Sequence, residues 1–165
     1  MPKRTELQHD CNLDKPALWN YFTNEEKEVF EMVSATHCKE ISVRVLNDIG
    51  ILAQLTRIVA DKGVNIRAAA AWVEDENKGV VRLVTDDNLR AMDALRVHNY
   101  APEEVSSVEV LMHHSPGMLS SICSKIGSGG INIRYLYASA PVSAESCLLI
   151  LSTDHNDRAL VLLND

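Results

Sequence analysis

The residues that could do chemistry come in pairs, 67 positions apart: Gly50 with Gly117, Asn65 with Asn132, and Arg67 with Arg134. Each type suits recognition more than bond breaking. Glycine leaves backbone N–H groups open to a close-approaching group. An asparagine amide offers both a donor and an acceptor. An arginine can clamp a carboxylate or form a salt bridge on an open sheet face, and the salt bridge is the simpler reading. The adjacent His113 and His114 could bind a metal, but neighbours on a strand point to opposite faces and no Cys or carboxylate cluster flanks them. The stretch Lys125-Ile-Gly-Ser-Gly-Gly130 lacks the phosphate-loop order and reads as a helix stop. No nucleophile elbow is visible. The expectation is therefore a protein with no catalytic residues, no metal and no cofactor.

The pairs belong to a longer repeat. Sliding the chain by 67 residues lays positions 40–98 on 107–165 without a gap. Gly63, Asn65, Ile66 and Arg67 fall on Gly130, Asn132, Ile133 and Arg134, and Leu83 and Leu95 fall on Ile150 and Leu162. Within the first copy, residues 41–45 alternate as a half-buried strand. Asn47-Asp48-Ile49-Gly50 is a turn, and Asp48 can accept N–H bonds where the next helix starts. Ile51, Leu52, Leu55, Ile58 and Val59 recur at helical spacing, and Lys62-Gly63 closes that helix. Residues 64–72 alternate as a strand, 74–79 form a polar hairpin turn, and 80–84 form the next strand. Thr85-Asp86-Asp87 opens a helix carrying Leu89, Met92 and Leu95. A strand at 105–112 closes this copy and begins the second. The second copy continues with helix 118–127, strand 131–137, a turn near Pro141, strand 147–151 and helix 154–163.

This order predicts an α+β fold of two tandem ferredoxin-like βαββαβ modules, antiparallel sheets with helices on one face. The modules span 40–106 and 107–165. The second has no closing strand before Asp165, so either that strand is missing or one from elsewhere completes the sheet, since an open edge invites pairing. Residues 1–39 read as a helical extension. Thr23-Asn-Glu-Glu26 is a capping box, and Val29, Phe30, Met32, Val33 and His37 follow along the helix. A helix this short must dock on something, as an appended packing helix or a partner-recognition arm.

Composition narrows the function classes. The 165 residues are 46% apolar with a formal net charge of -7, which argues against a nucleic-acid binder. The apolar runs are too short to span a bilayer, and the polar start at 1–10 has no signal core. Cys11, Cys38, Cys123 and Cys147 form no CxxC pair and read as reduced thiols of a cytoplasmic protein.

Two motifs then carry a resemblance. The first copy reads Val45-Leu-Asn-Asp-Ile-Gly-Ile-Leu-Ala53 and then Lys62-Gly-Val-Asn-Ile66; the second reads Met112-His-His-Ser-Pro-Gly-Met-Leu-Ser120 and then Gly129-Gly-Ile-Asn-Ile133. Over residues 40–165 the chain resembles the ACT family, whose modules show N-x-P-G-x-L in a turn and then G-x-N-I. It departs from that pattern at Ile49, where proline is usual, and at His114, where asparagine is usual. Among relatives it is most similar to short tandem-ACT, amino-acid-binding regulators. The resemblance implies a regulatory protein, not an enzyme, that binds an amino acid where modules meet, in one chain or across a homodimer. It places Asn47, Asp48, Ile49, Gly50 and Ile51 opposite Asn132, and His114, Ser115, Pro116, Gly117 and Met118 opposite Asn65. Helix-start N–H groups would take the ligand carboxylate, with Pro116 pre-setting the turn. The Asp48 charge would oppose an anion at the first turn, where Ser115 would not. The alternative is a regulatory subunit that contacts a separate biosynthetic enzyme. Trp72, Tyr135 and Tyr137 could line a pocket or serve as core or interface aromatics.

Overall fold

A computed structural model describes residues 33–139 and 146–165. They form β1 (Ser34–Leu46), α1 (Ile51–Ala60), β2 (Ile66–Asp75), β3 (Lys78–Thr85), α2 (Asn88–Val97), β4 (Pro102–His113), α3 (Met118–Ser128), β5 (Ile133–Ser139), β6 (Ser146–Thr153) and α4 (Asn156–Asn164). The capping box at Thr23, Cys11 and the turn near Pro141 lie outside the described residues. No described helix is long and apolar enough to cross a membrane.

The βαββα order is present twice, and the strands join one antiparallel sheet, β2-β3-β1-β4-β6-β5. The reason lies in its two long central strands. β1 starts at Ser34, so residues 34–39 are strand and not the end of a helix, and His37 sits within β1. The C-terminal half of β1 pairs with β3 and is the first strand of module one (Ile41 opposite Leu83). Its N-terminal half pairs with the second half of β4 (Ser34 opposite Leu111, Cys38 opposite Ser107). That half supplies the closing strand of module two. The Asn164 amide, at the end of α4, binds both the N–H and the C=O of Ala35 at 3.0 and 2.9 Å, which secures the arrangement.

Strand alternation sends one face of the sheet to the helices. Ile41, Val43, Val81 and Leu83 meet Leu55, Val59 and Leu95 there. Val108, Val110, Leu149 and Leu151 are buried on the same face of module two, as are Ile122, Ile126 and Leu163 from its helices. Removing a side chain such as Leu55, which is fully buried, would cost about 2–5 kcal/mol.

The repeat is not gapless in space. Ile66 pairs with Thr85 and Ile133 with Thr153, so the spacing grows from 67 to 68 after the second strand of each module. Leu83 corresponds to Leu151 and Leu95 to Leu163, all buried, rather than to Ile150 and Leu162. Apolar neighbours at both positions mask the slip in the sequence.

Candidate functional site

The two expected turns adopt one conformation. Gly50 and Gly117 have φ of 89° and 92°, the left-handed region that favours glycine, and each is the residue before its helix. Space for a Cβ is open at both, so the backbone angle and not crowding calls for glycine. Neither helix start is capped by a side chain and neither first turn carries an acid. Asp48 therefore does not cap α1; its carbonyl accepts from Ile51 N at 3.2 Å. The N–H groups of Leu52 and Ala53, and of Leu119 and Ser120, find no acceptor in the turns before them. In contrast, Asp87 caps α2 through Arg90 N. Two helix starts thus expose donors at the positive end of the helix dipole.

At the first turn of α1 lies a hollow of about 150 Å³, lined by Asn47, Ile51, Leu52, Ala71, Val73 and Val81 among others. Leu52 and Val73 of its lining are exposed, and so are Leu46 and Ile49 in the adjoining chain. Asn47 is turned to the β2–β3 hairpin, with N–H to Asn77 O at 2.9 Å and Nδ2 to Glu76 O at 3.4 Å. In the second turn Ser115 N–H donates to His113 O, Met118 is buried, and His114, Pro116 and Gly117 are exposed.

The asparagines are elsewhere. Asn65 is held by Asp86, through N–H to Oδ1 at 3.0 Å and Nδ2 to Oδ2 at 2.7 Å. These bonds hold the Asp86 carboxyl below its usual range. Asn132 is tied to Asp154 through its backbone, its N–H donating to Oδ1 and its carbonyl accepting from Asp154 N–H, both at 3.0 Å. No hydrogen bond or ion pair joins residues 47–51 to Asn132, or 114–118 to Asn65. The register explains this. Asn132 precedes the β5 residue level with Thr153, whereas the Asn47 turn lies eight residues beyond Lys39 along β1, about 26 Å of extended chain.

The face of the sheet away from the helices holds a second cluster. The sheet curls enough that its two edge strands touch there: Trp72 of β2 and Tyr135 of β5 have ring centroids 6.4 Å apart. Glu40 of β1 is fully buried beneath them. It accepts the Tyr135 hydroxyl at 2.5 Å and the Tyr137 hydroxyl at 2.7 Å. Arg82 of β3 donates to the Tyr135 hydroxyl at 2.9 Å, lies 4.7 Å over its ring and stands 4.0 Å from Glu40. Burial first, then the bonds to Glu40, push the Tyr135 phenol up to about 12 and Tyr137 further in the same direction. Arg67 pairs with Glu109 across the same face, as a salt bridge and not as a free clamp.

The cluster was not found as a unit from the sequence. One signal for it was present. The repeat pairs Ala68 with Tyr135, Ala70 with Tyr137 and Trp72 with Ser139, so large residues in one copy stand where the other is small. That is how two edges of one curled sheet fill a shared space.

No protein-family profile and no curated protein sequence matches the chain. Solved structures do match. Protein BT0572 from Bacteroides thetaiotaomicron superimposes with a TM-score of 0.71 at 22% identity, covering 78% of this chain and 88% of that one. The regulatory subunit of aspartate kinase from Thermus thermophilus gives 0.58 at 16% identity, over 79% of this chain and 93% of that one. The corresponding subunit from Thermus flavus gives 0.53 at 17%, over 79% and 94%. The chain has the tandem ACT-type fold. Two ACT-type modules here share their central strands β1 and β4, and each module starts its first helix on a positive-φ glycine.

Proposed function

We propose that this ACT-type chain is a non-catalytic regulatory protein that binds a small ligand, an amino acid by the chemistry of its turns, at the starts of α1 and α3. The observation that carries the reading is the pair of uncapped helix starts on Gly50 and Gly117, one of them opening on an apolar hollow. Free N–H donors at a helix start suit a carboxylate. The hollow suits a small side chain, and the Asn47 carbonyl oxygen of the side chain remains available to an ammonium. Because Asn132 is distant within the chain, the opposing wall is supplied by a second copy, with Asn132 or Asn65 presented across a homodimer. Structural likeness to aspartate kinase regulatory subunits agrees with a regulatory role.

The test is thermal unfolding against each common L-amino acid, with sedimentation in parallel. A ligand at 100 times its Kd adds about 2.7 kcal/mol, a clear rise in midpoint. That rise should vanish in Gly117→Ala or Gly50→Ala, whose folded backbone cannot keep the turn without strain. No response to any amino acid would overturn the reading.

A second reading is a regulatory subunit that acts by contact with a biosynthetic enzyme. The exposed Leu46, Ile49, Leu52 and Val73 favour it, since apolar residues gathered at one end of a module can dock on protein. Recovery of one enzyme with the chain, lost in Ile49→Asp, would support it.

A further inference from the structure

The two copies of the repeat part company at one charge on the curled face. In the first, Arg67 sits at the β2 bulge and pairs with Glu109 of β4. Arg134 occupies the same bulge in β5, where the register shifts between Ile133 and Tyr135. The repeat counterpart of Glu109 is Ser42, so the carboxylate is absent from this half. Among the described residues Arg134 has no hydrogen bond or ion pair.

The surroundings of Ser42 add positive charge. Arg44 is two residues along on the same face of β1, is exposed and has no partner among the described residues. Arg82 is the register partner of Ser42 on β3. Its Nη1 is used by Tyr135, but its Nε is buried with no hydrogen-bond partner. Glu40 is already committed to two tyrosine hydroxyls. Glu103, the register partner of Ser42 on β4, is exposed and pairs with none of these arginines. Three guanidinium groups thus stand near two carboxylates, Glu40 and Glu103, an excess of positive charge on a chain of net charge -7.

We propose that this end of the curled face binds a small organic carboxylate, which takes beside Arg134 and Ser42 the place that the Glu109 carboxylate holds beside Arg67. A guanidinium fork matches a planar carboxylate with two parallel bonds, and the Ser42 hydroxyl can donate a third. Trp72, 41% exposed and tilted against Tyr135, offers an apolar surface to the rest of the ligand. Arg134, Ser42 and Arg82 do not line the hollow at α1, and only Trp72 borders both, so loss of binding in Arg134→Gln reports on this site and not on the amino-acid reading.

The test is calorimetric titration of the full chain with glutarate, and separately with inorganic phosphate, at fixed ionic strength. Glutarate should bind, at least tenfold more weakly in Arg134→Gln. In Ser42→Glu the restored internal counter-ion should abolish binding and raise the melting midpoint. Arg134→Gln decides alone if Ser42→Glu fails to fold. Absence of glutarate binding, equal binding by Arg134→Gln, or binding of phosphate without glutarate would each overturn the proposal.

Discussion

Lys39 faces Ser106 across the β1–β4 ladder, and the two residues are one repeat apart. The pseudo-two-fold axis of the chain therefore passes between them. Each is bolted by the same device. Asn88, at the start of α2, donates to Lys39 O at 2.9 Å and is met by the Thr85 hydroxyl at 2.6 Å. Asn156, at the start of α4, donates to Ser106 O at 2.9 Å and is met by the Thr153 hydroxyl at 3.0 Å. A helix start from each module thus grips the shared strand pair at its centre.

Asn88→Ala and Asn156→Ala should therefore cost nearly equal stability. Each removes an amide that meets an exposed strand carbonyl and a part-buried threonine hydroxyl, worth about 0.5–1.5 kcal/mol net for a typical bond. Urea unfolding measures both. A cost in one variant and none in the other would show that the two grips are not equivalent.

Asn164→Ala addresses the closing strand of module two. Its side chain takes both backbone groups of Ala35, which is itself buried. Loss of about 1–3 kcal/mol is expected, since both partners lose a bond. Hydrogen exchange at the Ala35 amide is the direct readout. Unchanged protection there would mean that α4 does not hold this end of β1.

Much of this architecture was legible in the residues. The alternation at 41–45 and 64–72 and the helical spacing from Ile51 to Val59 follow from local periodicity, which one chain displays fully. Residues 34–39 were not legible as strand. Ser34-Ala-Thr-His-Cys-Lys39 buries only Ala35 and Cys38, and its partner in β4 lies some 70 positions away. The turns at Gly50 and Gly117 could be seen because glycine marks a backbone angle. The Glu40 cluster could not, because curl brings β5 over β1, and curl is a property of the whole sheet.

Glu40→Gln and Tyr137→Phe test what holds that curl. The ion pair with Arg82 is at the limit of contact, whereas the two hydroxyl bonds are short and buried, so the hydroxyl bonds should dominate. Each single change is expected to cost about 1.5–3 kcal/mol, the range for bonds to a charged group. The double variant should cost clearly less than the sum, because both act on the same bond: Gln takes its charge away and Phe takes its donor away. Strict additivity in urea unfolding would mean that Glu40 and Tyr137 act separately.

The same cluster sets an alkaline limit on stability. Burial and the neighbouring Glu40 raise the folded pKa of Tyr135 to about 12 from an ordinary value of 10.0. Burial and then Glu40 shift Tyr137 in the same direction. The folded state thus holds these phenolic protons more tightly than the unfolded state. Their contribution is complete below the unfolded pKa, near 10.0, and is lost as pH rises through the folded value. Stability of the chain should therefore fall between about pH 10 and pH 12, and the fall should be shallower in Tyr135→Phe, which has no phenol there to ionise. Absorbance at the tyrosinate band gives the independent check: ionisation of Tyr135, taken as the difference between the chain and Tyr135→Phe, should coincide with loss of structure. Full ionisation of that phenol near pH 10 in a folded chain would place its hydroxyl in water, away from Glu40.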